Sequence, residues 1–341
     1  MVQRAVRTGT NLHLSGEPGM GKTRVIEQTV AAIQKDDPTF GFWNIYTPSL
    51  TPTDFVMAMP DQESETLKNF RSDRLPNGYD TPAARGILFL GERDNGDPAT
   101  NKALQKYINN EDMGGLIKPA GVIVVSDSNE VSHRSGTVQQ SLALLSRSRN
   151  VHVDLDPKLT LSHFKDIGLN VYVQAYLSLK PDHVSTFDKL LADRAYRVWA
   201  NPRAWERLGV SMDDAEQYGE KLTDDEIIGD VGENVGREFI AFLYAACTLV
   251  SYDDIVADPK SATRPDKLSD VYAVMAMLAT MVRARDLKPV REYIVRWGIE
   301  VQILFLRMLV SSKNKDKAQC VRHEAYTSWY AEPGIAEGVC G

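Results

Sequence analysis

The sequence predicts an α/β chain. A parallel five-stranded sheet built around a phosphate-binding loop is followed by an all-helical part. Three observations predict it. Short apolar runs alternate with helix-period segments up to residue 156, the pattern of a parallel sheet covered on both faces. Gly16 to Thr23, "GEPGMGKT", fits the P-loop pattern GxxxxGK[ST] between a strand-like run and a helix-like one. Beyond residue 156 strand-like runs become rare and apolar residues recur at helical spacing. The expected division is 1–156 for the nucleotide-binding core and 157–341 for the helical part.

"NLHL" (11–14) is the first expected strand, and the loop follows it directly. Glycines in such a loop let the backbone turn sharply and aim amide groups at phosphate oxygens. Gly16, Glu17, Pro18, Gly19, Met20 and Gly21 form the cradle, Lys22 faces the outer phosphates, and Thr23 offers a hydroxyl to magnesium. "TRVIEQTVAAIQK" then carries Val25, Ile26, Val30 and Ile33 on one helical face. The next strands are "FWNIY" (42–46), "ILFL" (87–90), "VIVVS" (122–126) and "VHVDL" (151–155), with "ATNKALQKYINN" as a helix after the third. Further on, "HVSTFDKLLADRAYRVW", "NVGREFIAFLYAACTLV", "SDVYAVMAMLATMVRA" and "VREYIVRWGIEVQILFLRMLVSS" read as helices whose Met and aromatic stripes pack a core. "IVADPKSATRPDK" (255–267) reads as a surface loop among them.

"GILFLGERDN" (86–95) raises the sharpest question. Many ATPases end a buried strand in two acids: an Asp that holds magnesium through water and a Glu that positions the attacking water. Glu92 stands in the second place, but Gly91 stands in the first. Asp94, two residues past Glu92, is a loop acid and a poor substitute. Glu92 also admits a plainer reading, as a surface acid in the charged loop "ERDNGD". Losing an outer-shell partner of a metal need not abolish nucleotide binding. The expectation is retained ATP binding with slow or conditional hydrolysis.

Bulk properties narrow the field. The chain has 341 residues and a formal net charge of −7, which argues against a surface built mainly for nucleic-acid backbones. Three widely spaced cysteines make neither a disulfide framework nor a zinc pattern, so a reducing cytoplasm is expected. The start lacks the apolar core of a secretory signal, and no run approaches the roughly 20 apolar residues of a membrane span. The six histidines are scattered with no metal-binding pair, and no G-x-S-x-G elbow is present.

With these motifs in place the chain resembles the AAA+ ATPases of the MoxR type, particularly the short ones of actinobacteria and their phages. The resemblance covers most of the chain. "LHLSGEPGMGKT" is similar to the family's nucleotide loop, and "IYTPSLTPTDFVMAMPD" to the segment after its second strand, with Asp54 and Pro60 in familiar positions. "RGILFLGERDNGDPATNKALQKYI" resembles "GILFLDE…PP…ALL" and departs at Gly91, where the Walker B Asp would stand. "VIVVSDSNEVSHRSG" resembles the fourth strand and its polar tip, and implies that Asn129 senses the third phosphate, with Asp127 as the alternative. "SLALLSRSRNVHVDLD" resembles the segment before the fifth strand, so Arg149, or alternatively Arg147, matches the arginine finger offered to a neighbouring subunit. "ANPRAWERLGV" resembles the family's Pro-Arg-x-Trp lid element. There Arg203 would touch nucleotide and Trp205 would pack the lid core.

The resemblance further implies ATP with Mg2+, self-association into a ring (a hexamer), a protein client, and a partner carrying a von Willebrand factor A domain. A cation supplied in trans would stabilise the charge spread over a phosphoryl transition state. The first functional reading is therefore a chaperone-like, ATP-driven remodeller. The second is a nucleotide-gated scaffold with little hydrolysis, supported by Gly91. A nucleic-acid motor or loader is the third, and the acidic balance counts against it.

Overall fold

A computed structural model of the chain describes residues 1–129, 146–192 and 197–340. Two compact units are present, Met1–Asp154 and Leu155–Gly341.

The first unit holds a five-stranded sheet of β1 (Leu12–Ser15), β2 (Gly41–Tyr46), β5 (Arg85–Gly91), β6 (Gly121–Ser128) and β7 (Arg149–His152), all parallel, in the order β2-β5-β6-β1-β7. The apolar runs of β1, β5 and β6 form the middle of this sheet, where both faces are covered and nearly every residue is buried, while the edge strands β2 and β7 are more exposed. On one face Leu12, Leu14, Ile87, Phe89, Ile123 and Val125 pack with Ile26 and Val30 of α2 (Lys22–Asp36) and Ala5 of α1 (Val2–Thr8). On the other, Leu88, Leu90, Val122 and Val124 pack with Leu104, Tyr107 and Ile108 of α3 (Pro98–Ile108). The α/β class with a helical second part is the one the sequence predicts.

Three elements differ from expectation. The fifth strand is Arg149–His152, not 151–155, because Asp156 already caps the next helix, Pro157–Asp166, with its carboxylate on Lys158 N and Leu159 N. A hairpin of β3 (Val56–Asp61) and β4 (Thr66–Arg71) lies between β2 and β5, outside the main sheet. The long apolar segment 290–312 is two helices, Leu287–Ile294 and Ile299–Ser311, separated at Val295–Gly298.

The second unit is wholly helical among its described residues. Its centre is α4 (Val171–Leu179), α5 (Pro202–Tyr218), α6 (Glu233–Thr248), α7 (Leu268–Met281) and α8 (Ile299–Ser311), which share one apolar cluster. Phe239, Met275, Met277 and Phe305 of the stripes read from the sequence are buried in that cluster, together with Trp205 and with Trp329, which the sequence reading did not single out. Among the described residues of 183–199 the α-helix is Phe187–Ala192, and 193–196 lie outside them. No helix among the described residues is long and apolar enough to cross a membrane.

Candidate functional site

The loop Gly16–Gly21 joins the end of β1 to the start of α2, so the backbone turns from a strand end to a helix N-terminus within six residues. Glycine is needed for two different reasons. A Cβ at Gly16 would lie 2.6 Å from the carbonyl oxygen of Val153, and Gly21 caps α2 at φ +87°, a conformation that other residues enter at a cost. Lys22 opens α2 and is 7% exposed. Its Nζ donates to the carbonyls of Gly16 (2.9 Å) and Glu17 (2.9 Å) and to Asn129 Oδ1 (3.1 Å). The lysine thus ties the loop to the tip of β6. Thr23 follows in the first turn of α2 and is half-buried. This set fits a nucleoside triphosphate with its divalent cation: a backbone cradle closed to side chains at Gly16, one buried cation, and a hydroxyl beside it.

Glu92 sits just past β5 with φ +49° and ψ +44°, a left-handed conformation that costs a non-glycine residue about 1–2 kcal/mol. Three bonds hold it there. Its amide donates to Asp127 Oδ1 at 2.7 Å, its carbonyl accepts from Asn95 N at 3.0 Å, and Asn95 Nδ2 donates to its Oε2 at 3.1 Å. Tyr46 Oη, at the end of β2, also donates to Oε2 at 3.3 Å, and the Glu92 charge raises the Tyr46 pKa. Asp127 itself is 6% exposed, and burial raises its pKa, against the opposing pull of the Glu92 N–H bond and the Lys22 charge.

Gly91 needs no glycine. A Cβ there would meet Phe89 Cε1 at 3.5 Å and the Ile45 carbonyl at 3.6 Å, both ordinary contacts. The position therefore has room for a Cβ. Asp94 is buried within a single 3-10 turn, Arg93–Asn95, where its charge favours the cationic form of Arg93. The loop "ERDNGD" is therefore not the solvated loop it resembles in sequence: Arg93 is buried, burial lowers its pKa to about 10, and its Nε and Nη2 make no hydrogen bond.

The structure brings Gly16–Thr23, Glu92, Asp127 and Asn129 together at the C-terminal end of the sheet. Arg149 lies elsewhere. It begins β7 in register with Leu12, donates its amide to Asn11 O (2.9 Å), and is exposed. Four residues of β1 separate that level from Gly16, about 13 Å at strand rise. Arg149 thus stands at the opposite end of the sheet from its own chain's loop. Arg147 is exposed in the preceding turn, and 130–145 lie outside the described residues. Arg203 belongs to the second unit, as the exposed second residue of α5, after the Asn201 cap and Pro202.

The sequence reading missed His13, on the α3 face of β1. Its Nδ1 meets Ser126 Oγ at 2.9 Å and its Nε2 meets Ser128 Oγ at 3.1 Å, both buried. Burial first, and the Arg93 charge second, lower its pKa to about 4. Between pH 6.5 and 4 the unfolded chain takes up this proton and the folded chain does not. Stability therefore falls as pH drops through that window, by about 3 kcal/mol in all. Urea unfolding of wild type and His13→Gln at pH 7 and pH 4.5 checks this. The variant should lose less stability on acidification, and parallel pH profiles would contradict the assignment.

No protein-family model matches the sequence, and no curated protein matches it. Solved structures do. A RuvB Holliday junction branch migration motor of Thermotoga maritima is similar over 75% of this chain and 70% of its own, at 16% identity and TM-score 0.36. A candidate ATPase of Cytophaga hutchinsonii is similar over 49% of this chain, at 20% identity and TM-score 0.34. Hsp104, in a closed-state reconstruction with ATPγS and casein, is similar over 49% of this chain and 34% of its own, at 15% identity and TM-score 0.34. The chain spans about half the length of the Cytophaga protein, 48%. In this chain the loop follows the first strand of a parallel five-stranded sheet and opens a helix, and a helical region follows the sheet in sequence.

Proposed function

We propose that this chain binds ATP with Mg2+ through Gly16–Thr23 and hydrolyses it slowly or conditionally, as the motor of an oligomeric, chaperone-like remodeller of the MoxR type. The observation that carries the reading is the convergence on Lys22. One buried ammonium joins the loop carbonyls to Asn129, while Glu92 is tied to the same strand tip through Asp127. Residues 1–156 are then the nucleotide-binding core and 157–341 the lid and its helical extension.

Lys22 and the loop amides hold the triphosphate, and Asn129 orients a water or a phosphate oxygen. Thr23 would hold a magnesium ion, which would supply neutralisation of phosphate charge. Glu92 is the base that draws a proton from the attacking water. Tyr46 and Asn95 both bond its Oε2 and so hold the carboxylate in place, while Oε1 offers the lone pairs that take the proton. Arg149, at the far end of the sheet from its own loop, suits a finger presented to a neighbouring subunit and supports a ring, in this reading a hexamer. Arg203 is the lid's contact to nucleotide. A protein client and a partner with a von Willebrand factor A domain rest on the MoxR resemblance.

The second reading, a nucleotide-held scaffold, is favoured by Gly91 together with the restrained Glu92. Steady-state phosphate release over a range of protein concentrations separates the two, run beside Lys22→Ala and Gly91→Asp. The remodeller reading expects turnover that rises with concentration and vanishes in Lys22→Ala. Wild type that binds ATP yet stays silent, with turnover only in Gly91→Asp, would replace it with the scaffold.

A further inference from the structure

The carboxylate missing at Gly91 has a neighbour that the motif pattern does not contain. β5 and β6 are parallel, with Leu90 opposite Ser126. One residue further along each strand puts Gly91 beside Asp127, at the inter-strand spacing of about 4.8 Å. The 2.7 Å bond from Glu92 N to Asp127 Oδ1 spans this same gap. Alternation fixes the face. Phe89 and Val125 both pack against α2, so the residues two further on, Gly91 and Asp127, belong to that face as well. α2 begins with Lys22 and Thr23. A carboxylate at 91 and the carboxylate at 127 would therefore look out on the same side of the sheet, at the same height, one strand apart. Asp127 is on the strand nearer the loop, since β6 pairs directly with β1 and Leu14 is opposite Asp127.

We propose that Asp127 has taken over the task of the absent strand-end aspartate, as the carboxylate that receives hydrogen bonds from the waters of a nucleotide-bound magnesium ion. The inference rests on the ATP-binding reading above. Its fit is in the donor set. A carboxylate offers about four lone-pair sites, and the Glu92 amide uses one of them. The other acids of the region have other places: Glu92 is the base in the reading above, with its Oε2 held by Tyr46 and Asn95, and Asp94 lies in the turn beside the buried Arg93. Asn129, two residues beyond Asp127, bonds Lys22, so the phosphate-sensing and magnesium tasks fall on different residues of one strand end. The same carboxylate also holds Glu92 in its left-handed turn. Position of the base and position of the ion would then depend on a single side chain.

Asp127→Asn separates the two tasks, because the amide oxygen can still accept the Glu92 N–H while the negative charge is gone. The probe is a fluorescent N-methylanthraniloyl ATP, titrated in EDTA and then with MgCl2 at fixed nucleotide. In Asp127→Asn, nucleotide affinity in EDTA should stay within about threefold of wild type, while Mg2+ affinity of the complex falls by about 10–100-fold, the usual range for outer-shell partners. Gly91→Asp/Asp127→Asn, with the carboxylate moved one strand back, should recover Mg2+ affinity to within about threefold of wild type. An Mg2+ titration of Asp127→Asn that overlays wild type overturns the proposal and leaves the ATP reading intact. Failure of wild type to bind the probe in either buffer overturns both. Where Asp127→Asn alone does not fold, the double variant carries the test, and a tenfold or greater loss of Mg2+ affinity in it overturns the proposal.

Discussion

Lys22→Ala is expected to weaken ATP binding by at least about 100-fold and to abolish phosphate release. The ammonium is the buried cation of the loop, and it makes three hydrogen bonds within 3.1 Å. Hydrogen bonds to a charged group contribute about 1.5–3 kcal/mol each, and a tenfold change in affinity corresponds to about 1.4 kcal/mol. Losing two such bonds to phosphate oxygens therefore suffices for the expected drop. The fold should survive, since α2 keeps Ile26 and Val30 in the core. Lys22→Arg separates charge from shape. It retains the cation but substitutes a planar fork for a compact point charge, so intermediate affinity is expected. Anisotropy of a fluorescent ATP analogue measures all three proteins, with thermal melts run alongside. An affinity for Lys22→Ala within threefold of wild type would mean that the loop does not bind phosphate.

The loop was legible in sequence because its conformation is written locally: the glycines fall where the backbone enters the left-handed region or passes close to Val153. The strands β1, β5 and β6 were legible because both of their faces are buried, which leaves continuous apolar runs such as Ile87–Leu90, whereas the half-exposed β7 was placed two residues late. The hairpin β3–β4 was not. Met57, Met59, Leu67 and Phe70 all face solvent, so no burial pattern marks it, and Pro60 within β3 argues against a strand. The break at Val295–Gly298 was hidden by an apolar pattern that continues through it. Asp127 shows where local reading stops. Its relation to Gly91 depends on the register of two strands 36 residues apart, which no motif encodes. Arg93, in the turn after β5, and His13, within β1, were missed for the opposite reason: polar residues look solvated until the neighbouring elements cover them.

Trp205→Ala is expected to destabilise the helical unit by about 3–5 kcal/mol, a large share of the 5–15 kcal/mol that holds a typical domain folded. Trp205 is fully buried, with its ring edge-on to Phe239 (5.4 Å, 88°) and tilted against Tyr176 (5.7 Å). Its Nε1 donates to the His183 carbonyl at 2.8 Å, while the His183 ring is held by Tyr176 Oη at 2.8 Å. Truncation thus removes ring contacts on α4 and α6 and leaves a buried carbonyl without its donor. Trp205→Phe isolates the second loss. It restores most of the packing but not the N–H, so it should recover part of the lost stability and leave a deficit of about 1–3 kcal/mol. Urea unfolding followed by far-UV circular dichroism reads both variants. With slopes of about 1–3 kcal/mol/M, the Trp205→Ala midpoint should fall by at least 1 M. A Trp205→Phe midpoint equal to wild type would assign the whole effect to packing and remove the hydrogen bond to His183 from the account. A midpoint for Trp205→Ala within 0.2 M of wild type would mean that Tyr176 and Phe239 close over the gap, and that this ring is not what joins α5 to the core.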